Sequence, residues 1–233
     1  DKLMKTEKIY KRENYLKKVR GFYSDDETIK VIVGIRRCGK SFLVKSIIQE
    51  LKQNNVLDKD IVYIQLDKRP YKDISTPEQL EEIIESKITD NSFKYLFIDE
   101  VQNVKGYEAL IDSYRGNGNI SIFITGSNSY LLSGELATKL TGRKIEIELL
   151  PLNFYEYVDM KKFLGKTIND NIYLEFEEYI RQGGFPGSLM YDDPNDKIRY
   201  TQNVINDIFI KDIKPNEKIK NPNMFRNIQN FII

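Results

Sequence analysis

Gly34-Ile35-Arg36-Arg37-Cys38-Gly39-Lys40-Ser41 is the stretch from which the fold can be read. It matches G-x-x-x-x-G-K-[ST] at every specified position, the spacing at which backbone amides and a lysine converge on phosphate. Residues 29–33, Ile-Lys-Val-Ile-Val, form a β-branched run before it and read as a buried strand. Phe42-Leu43-Val44-Lys45-Ser46-Ile47-Ile48 follows, apolar at helical spacing. Strand, turn and helix in that order aim several N–H groups and the positive end of a helix at one anion. Gly34 and Gly39 permit a close approach that a Cβ would hinder. The expected nucleotide-binding set is therefore Gly34, Arg36, Arg37, Cys38, Gly39, Lys40, Ser41 and Phe42. Lys40 would reach the β- and γ-phosphates, and the Ser41 hydroxyl would ligate Mg²⁺.

Composition narrows what surrounds this turn. The 233 residues are 40% hydrophobic and 30% charged, which indicates a folded chain of one domain, or one with a small second domain. Thirty-six basic and 35 acidic residues nearly cancel, against a broadly basic nucleic-acid surface. There is no histidine, which excludes Ser-His-Asp catalysis and the usual zinc sites. The one cysteine cannot make an internal disulfide, which suits a cytoplasmic protein. Cys38 reads as a small residue at a variable motif position, with a redox switch as the alternative. No apolar run approaches a membrane span, so no membrane contact is expected.

From about residue 29 to 150, strands and helices alternate. Apolar strands are expected at 61–66, 95–98, 120–124 and 145–149, with helices at 40–54, 77–88, 106–114 and 129–140 between them. An amphipathic helix over 6–20 precedes this region. Alternation of this kind predicts an α/β fold, a mainly parallel five-stranded sheet with helices on both faces. Residues 151–213 change period and read as a small helical lid, and 214–233 as a linker and the start of a further domain. The boundaries expected are thus 1–150, 151–213 and 214–233. The apolar ending Phe231-Ile232-Ile233 leads to the expectation that the chain continues.

Two carboxylates close the strand at 95–98. Asp99 is placed to hold the Mg²⁺ shell and Glu100 to orient and polarise the attacking water. The distance from Lys40 leaves room for a strand inserted between the first strand and the one ending in Asp99. Thr125-Gly126-Ser127-Asn128 follows the next strand, where Asn128 or Ser127, with Thr125 behind them, would contact the γ-phosphate or position the water, or else Ser127 or Ser129 would cap the next helix. Arg143, between a helix and the last strand, reads either as an arginine finger for another subunit's γ-phosphate or as a surface residue. Arg115 is the weaker candidate for that role, and Arg181 could reach the nucleotide from the lid.

In order along the chain stand Gly34 to Ser41, Phe97-Ile98-Asp99-Glu100-Val101-Gln102, Thr125-Gly126-Ser127, Leu140-Thr141-Gly142-Arg143, Pro151-Leu152-Asn153-Phe154 and Gly183-Gly184-Phe185-Pro186. This ordered set resembles the bacterial and archaeal AAA-superfamily ATPases that carry a C-terminal domain of unknown function. The resemblance covers nearly the whole chain and implies a P-loop NTPase fold using ATP and Mg²⁺. It implies that Lys40 and Ser41 are the Walker A pair, Asp99 and Glu100 the Walker B pair, Ser127/Asn128 the first sensor, and Arg143 the family's arginine before the last strand. Nearly all of the family's C-terminal domain is absent here. The expected activity is ATP hydrolysis that moves the lid and a C-terminal domain, with ATP and ADP as ligands. A homo-oligomer through Arg143, and a DNA or protein partner, are the further expectations. Three alternatives stay open: a helicase-like factor, for which one such domain is too short; a GTPase, for which no Asn-Lys-x-Asp element is present; and an ATP-binding switch without turnover.

Overall fold

The computed structural model describes residues 8–127 and 142–213. Five strands form one sheet: β1 (Ile29–Val33), β2 (Ile61–Gln65), β3 (Lys94–Asp99), β4 (Ile120–Gly126) and β5 (Lys144–Glu148). Every pairing is parallel, and the order is β2-β3-β4-β1-β5. β4 is thus the strand inserted between β1 and β3. Parallel pairing puts all five C-terminal ends on one edge, the edge at which ligands bind in open α/β sheets.

Period-two alternation sorts the fully buried strands between two helical layers. Ile29, Val31, Val33, Leu96, Ile98, Ile122 and Ile124 face the layer of α3 (Pro77–Lys87) and α4 (Tyr107–Gly116). Ile32, Tyr95, Phe97 and Phe123 face α1 (Glu13–Val19) and α2 (Lys40–Gln53), with Phe97 and Phe123 stacked at 4.6 Å. Each such buried side chain contributes about 1.5–3 kcal/mol, enough to hold the strand ends in register. α3 begins at Pro77 as its sequence predicts, with Thr76 and Gln79 closing a capping box.

After β5 come α5 (Phe154–Phe163), α6 (Ile172–Gln182), α7 (Pro194–Ile208) and a π-type turn, Phe209–Ile213. Leu152, Tyr157, Met160 and Leu189 form a separate small core there. The Gly183-Gly184-Phe185-Pro186-Gly187 run serves close approach. A Cβ on Gly184 would lie 2.3 Å from the Leu152 carbonyl oxygen, and the Leu152 amide donates to the Gly184 carbonyl at 2.7 Å. The turn leads into Pro186, whose ring rests 3.9 Å from where a Gly39 Cβ would stand.

The N-terminal expectation needs correction. The helix expected over 6–20 is α-helical only from Glu13 to Val19, and within that range the described residues begin at 8. Arg12 is the N-cap and has non-helical backbone angles, and its side chain is committed elsewhere. It makes a two-pronged pair with Glu156 of α5, and reaches the carbonyls of Cys38 at 3.3 Å and Leu150 at 2.6 Å. The helix expected at 129–140 and the linker at 214–233 lie outside the described residues.

Candidate functional site

The phosphate turn joins β1 to α2 at the sheet's C-terminal edge. Gly39 takes φ +110°, a left-handed angle open to glycine, and Arg37 also has positive φ at 64°. No side chain caps α2, so the free N–H groups of its first turn and its dipole face the loop. Gly34 cannot carry a side chain: a Cβ would stand 2.4 Å from the Leu149 carbonyl oxygen and 2.7 Å from Cys38 Sγ.

Lys40, 4% exposed, curls back into the turn. Its Nζ donates to the Gly34 carbonyl at 3.0 Å and lies 3.5 Å from Glu100 Oε1. Ser41 follows it as the second residue of α2. Burial raises the Cys38 thiol, despite the opposing charges of Lys40 and Arg12. Cys38 is buried, and a buried thiol in apolar surroundings is a poor nucleophile.

Asp99 ends β3 and is 1% exposed. Its carboxylate accepts from the Tyr63 hydroxyl at 3.2 Å and from the Thr125 hydroxyl. Thr125 also accepts from the Glu100 amide at 3.1 Å. Glu100 adopts the left-handed region at φ 59°, ψ 48°, which turns its side chain out of strand direction and toward Lys40. Gln102 Nε2 donates to its other oxygen. Burial and then the Asp99 charge raise the carboxyl of Asp67, a third acidic residue at this edge.

The remaining expected residues divide. Phe42 is 54% exposed and borders an apolar cleft of 290 Å³ beside the turn, which Tyr10, Gly39, Leu152, Met160, Phe163 and Pro186 also line. Arg36 is paired with Asp212 at 2.8 Å. Tyr200 of α7 feels the charge of Arg37. Ser127 is buried at the end of β4, and Asn128 lies outside the described residues. Arg143 sits at the start of β5, its carbonyl accepting from the Ile29 amide, so the length of β1, about 16 Å at 3.3 Å per residue, separates it from its own phosphate turn. It is 53% exposed and 3.6 Å from Asp112, which Arg115 also engages at 2.8 Å. Both arginines thus gather at Asp112. Arg181 is exposed at the end of α6.

Sequence reasoning missed two participants, Arg12 and Asp212, which carried no local signal. Thr125, expected behind Ser127 and Asn128, stands level with Asp99 through the pairing Ile98↔Ile124. A carboxylate and a hydroxyl, Asp99 and Ser41, are the hard oxygen donors that suit Mg²⁺, an ion that takes few protein ligands and completes its shell with phosphate and water.

A model of the AAA domain family matches residues 26–158. A protein of Haemophilus influenzae, described as uncharacterized, is 34% identical over 95% of this chain and 54% of its own length. One of Methanocaldococcus jannaschii, described likewise, is 35% identical over 88% of this chain and 46% of its own. The chain spans about half the length of these curated relatives. Among solved structures, the Walker-type ATPase of Pyrococcus abyssi is similar with a TM-score of 0.60 and 18% identity, over 89% of this chain and 75% of that one. The ORC1 protein of Aeropyrum pernix in complex with DNA gives a TM-score of 0.51 and 12% identity, over 66% and 49%. At these identities the two structures speak for the fold alone.

Proposed function

The chain belongs to the AAA domain family of P-loop ATPases, and from that membership we propose that it binds Mg²⁺-ATP at residues 34–41 and hydrolyses it. One observation carries the reading: the uncapped start of α2, Lys40 and Glu100 converge on one point, with Lys40 Nζ 3.5 Å from Glu100 Oε1. A triphosphate entering there would replace the Gly34 and Ile35 carbonyls as the partners of Lys40. Glu100 would then lose its neighbouring cation to phosphate and be free to accept a proton from the attacking water. Ser41 and Asp99 would hold Mg²⁺, with Thr125 and Tyr63 fixing the Asp99 carboxylate. The bound ion would neutralise charge developing on the phosphate oxygens. The apolar cleft beside Phe42 suits a planar base, and Arg36 and Arg37 would supply further positive charge. Asn128 is proposed as the sensor that orients the water.

Arg143, exposed on the far edge of the sheet, is proposed to complete the site of a neighbouring copy. The helices after β5 would act as a lid, since Pro186 and Asp212 both touch the phosphate turn. Their motion would be passed to a C-terminal domain and its DNA or protein partner.

Nucleotide binding and phosphate release, measured over a range of protein concentrations, test the reading. Lys40→Ala is expected to lose ATP binding. Glu100→Gln is expected to keep it while turnover falls by about 10²-fold or more. Turnover per chain should rise with concentration in the wild type and not in Arg143→Ala. Turnover of Glu100→Gln at the wild-type rate would overturn the base assignment, and binding without any phosphate release would favour a switch that does not hydrolyse.

A further inference from the structure

The C-terminal end of the helical region places a carboxylate on the phosphate turn. Asp212 lies in the π-type turn that ends α7, 8% exposed at its side chain, with Oδ1 accepting from Arg36 Nε at 2.8 Å. The two residues are 176 positions apart in sequence. Asp212 stands close enough to Lys40 and Glu100 for both charges to act on it. Burial raises its carboxyl, and Arg36 and then Lys40 work in the opposite direction. A sheltered carboxylate on a turn built for phosphate is an acidic group among cations that would otherwise be available to an anion.

We propose that Asp212 sets how strongly this site distinguishes a nucleoside triphosphate from a diphosphate, by competing with the γ-phosphate for Arg36. The inference rests on the nucleotide-binding reading above. A guanidinium engages phosphate oxygens at least as well as a carboxylate, because both present paired acceptors to its planar fork. A γ-phosphate therefore takes Arg36 from Asp212 and repels the carboxylate left behind. A diphosphate brings no group to that position and leaves the pair intact. The Arg36–Asp212 pair is then a latch between the phosphate turn and α7, closed with diphosphate and opened by triphosphate. Release of Asp212 would loosen one tie between residues 34–41 and the Phe209–Ile213 turn that follows the last described helix.

The test is a double-mutant cycle on binding, without turnover. Affinities for AMPPCP and for ADP, each with Mg²⁺, are measured by calorimetry for wild type, Asp212→Asn, Arg36→Gln and the double variant. Asp212→Asn is expected to tighten AMPPCP at least about fivefold, a coupling of about 1 kcal/mol, and to change ADP by less than twofold. Removing Arg36 should abolish the effect, so that Asp212→Asn on the Arg36→Gln background leaves AMPPCP affinity unchanged. An unaltered AMPPCP-to-ADP ratio, weaker AMPPCP binding, or a full Asp212→Asn effect without Arg36 would each overturn the proposal. If Asp212→Asn does not unfold cooperatively, Asp212→Ser takes its place in the cycle. Wild type that binds neither nucleotide refutes the ATP reading itself, whereas binding of both with an unchanged ratio refutes the latch alone.

Discussion

Thr125 has more to do than its place in the strand suggested. Its hydroxyl donates to the buried Asp99 carboxylate and accepts from the Glu100 amide, so one side chain orients both acidic residues. Thr125→Val keeps the shape and removes both bonds, leaving a buried carboxylate oxygen short of a donor. The expected cost is about 1–3 kcal/mol of stability. Asp99 would also be free to turn, so the Mg²⁺ concentration for half-maximal nucleotide binding should rise. A Mg²⁺ titration of fluorescent-nucleotide binding reads this, and Thr125→Ser should restore it because the hydroxyl returns. An unchanged Mg²⁺ requirement in Thr125→Val would show that Asp99 is held without it. Glu100 and Lys40 are a comparable case: their types and positions were readable from the motifs, and their mutual 3.5 Å approach was not.

The glycine-rich turn before Pro186 shows why an element can matter more than its composition. Gly183 takes φ +77°, Gly184 is pressed against Leu152, and Pro186 reaches the phosphate turn at Gly39. The turn therefore sets where the second small core, around Leu152 and Tyr157, meets the nucleotide edge of the sheet. Gly184→Ala would force its Cβ against a carbonyl that cannot move without breaking the Leu152–Gly184 bond. Destabilisation of about 1–3 kcal/mol is expected. ATP affinity should fall as well, since Pro186 and Leu152 both line the apolar cleft. Chemical denaturation and nucleotide titration check the two effects separately. Full stability in Gly184→Ala would mean that the Leu152 backbone yields.

Across the whole molecule, Arg12 joins parts that lie far apart in the chain. It ties the N-terminal segment to the carbonyl of Cys38 in the phosphate turn, to the connection after β5, and to Glu156 at the start of α5. Both side chains of the pair are sheltered, at 6% and 8% exposure. Removing the cation leaves Glu156 buried without it, so Arg12→Ala is expected to cost about 3–5 kcal/mol. Adding Glu156→Gln should recover part of that loss, because the buried charge goes with its partner. Equilibrium denaturation of the single and double variants measures both. A cost below about 1 kcal/mol would mean that water enters and solvates Glu156.

What was legible from the sequence shares one property: it is local. The G-x-x-x-x-G-K-S spacing, the Asp99-Glu100 pair closing an apolar strand, Pro77 at a helix start and the strand–helix alternation each follow from hydrogen bonding and steric fit among near neighbours. A parallel sheet follows from that alternation, and with it the edge on which the site lies. The contacts that complete the site are long-range. Thr125 meets Asp99 across 26 positions, Arg12 meets Glu156 across 144, and Arg36 meets Asp212 across 176. The last two leave no periodic trace, because an arginine or aspartate on a polar stretch is equally compatible with solvent. Their partners are selected only when the strands pack, the helices dock and burial makes an unpaired charge costly. The amino-acid order by itself determined the phosphate turn and the sheet behind it; tertiary packing decided which side chains hold that turn and which one stands beside it in competition with phosphate.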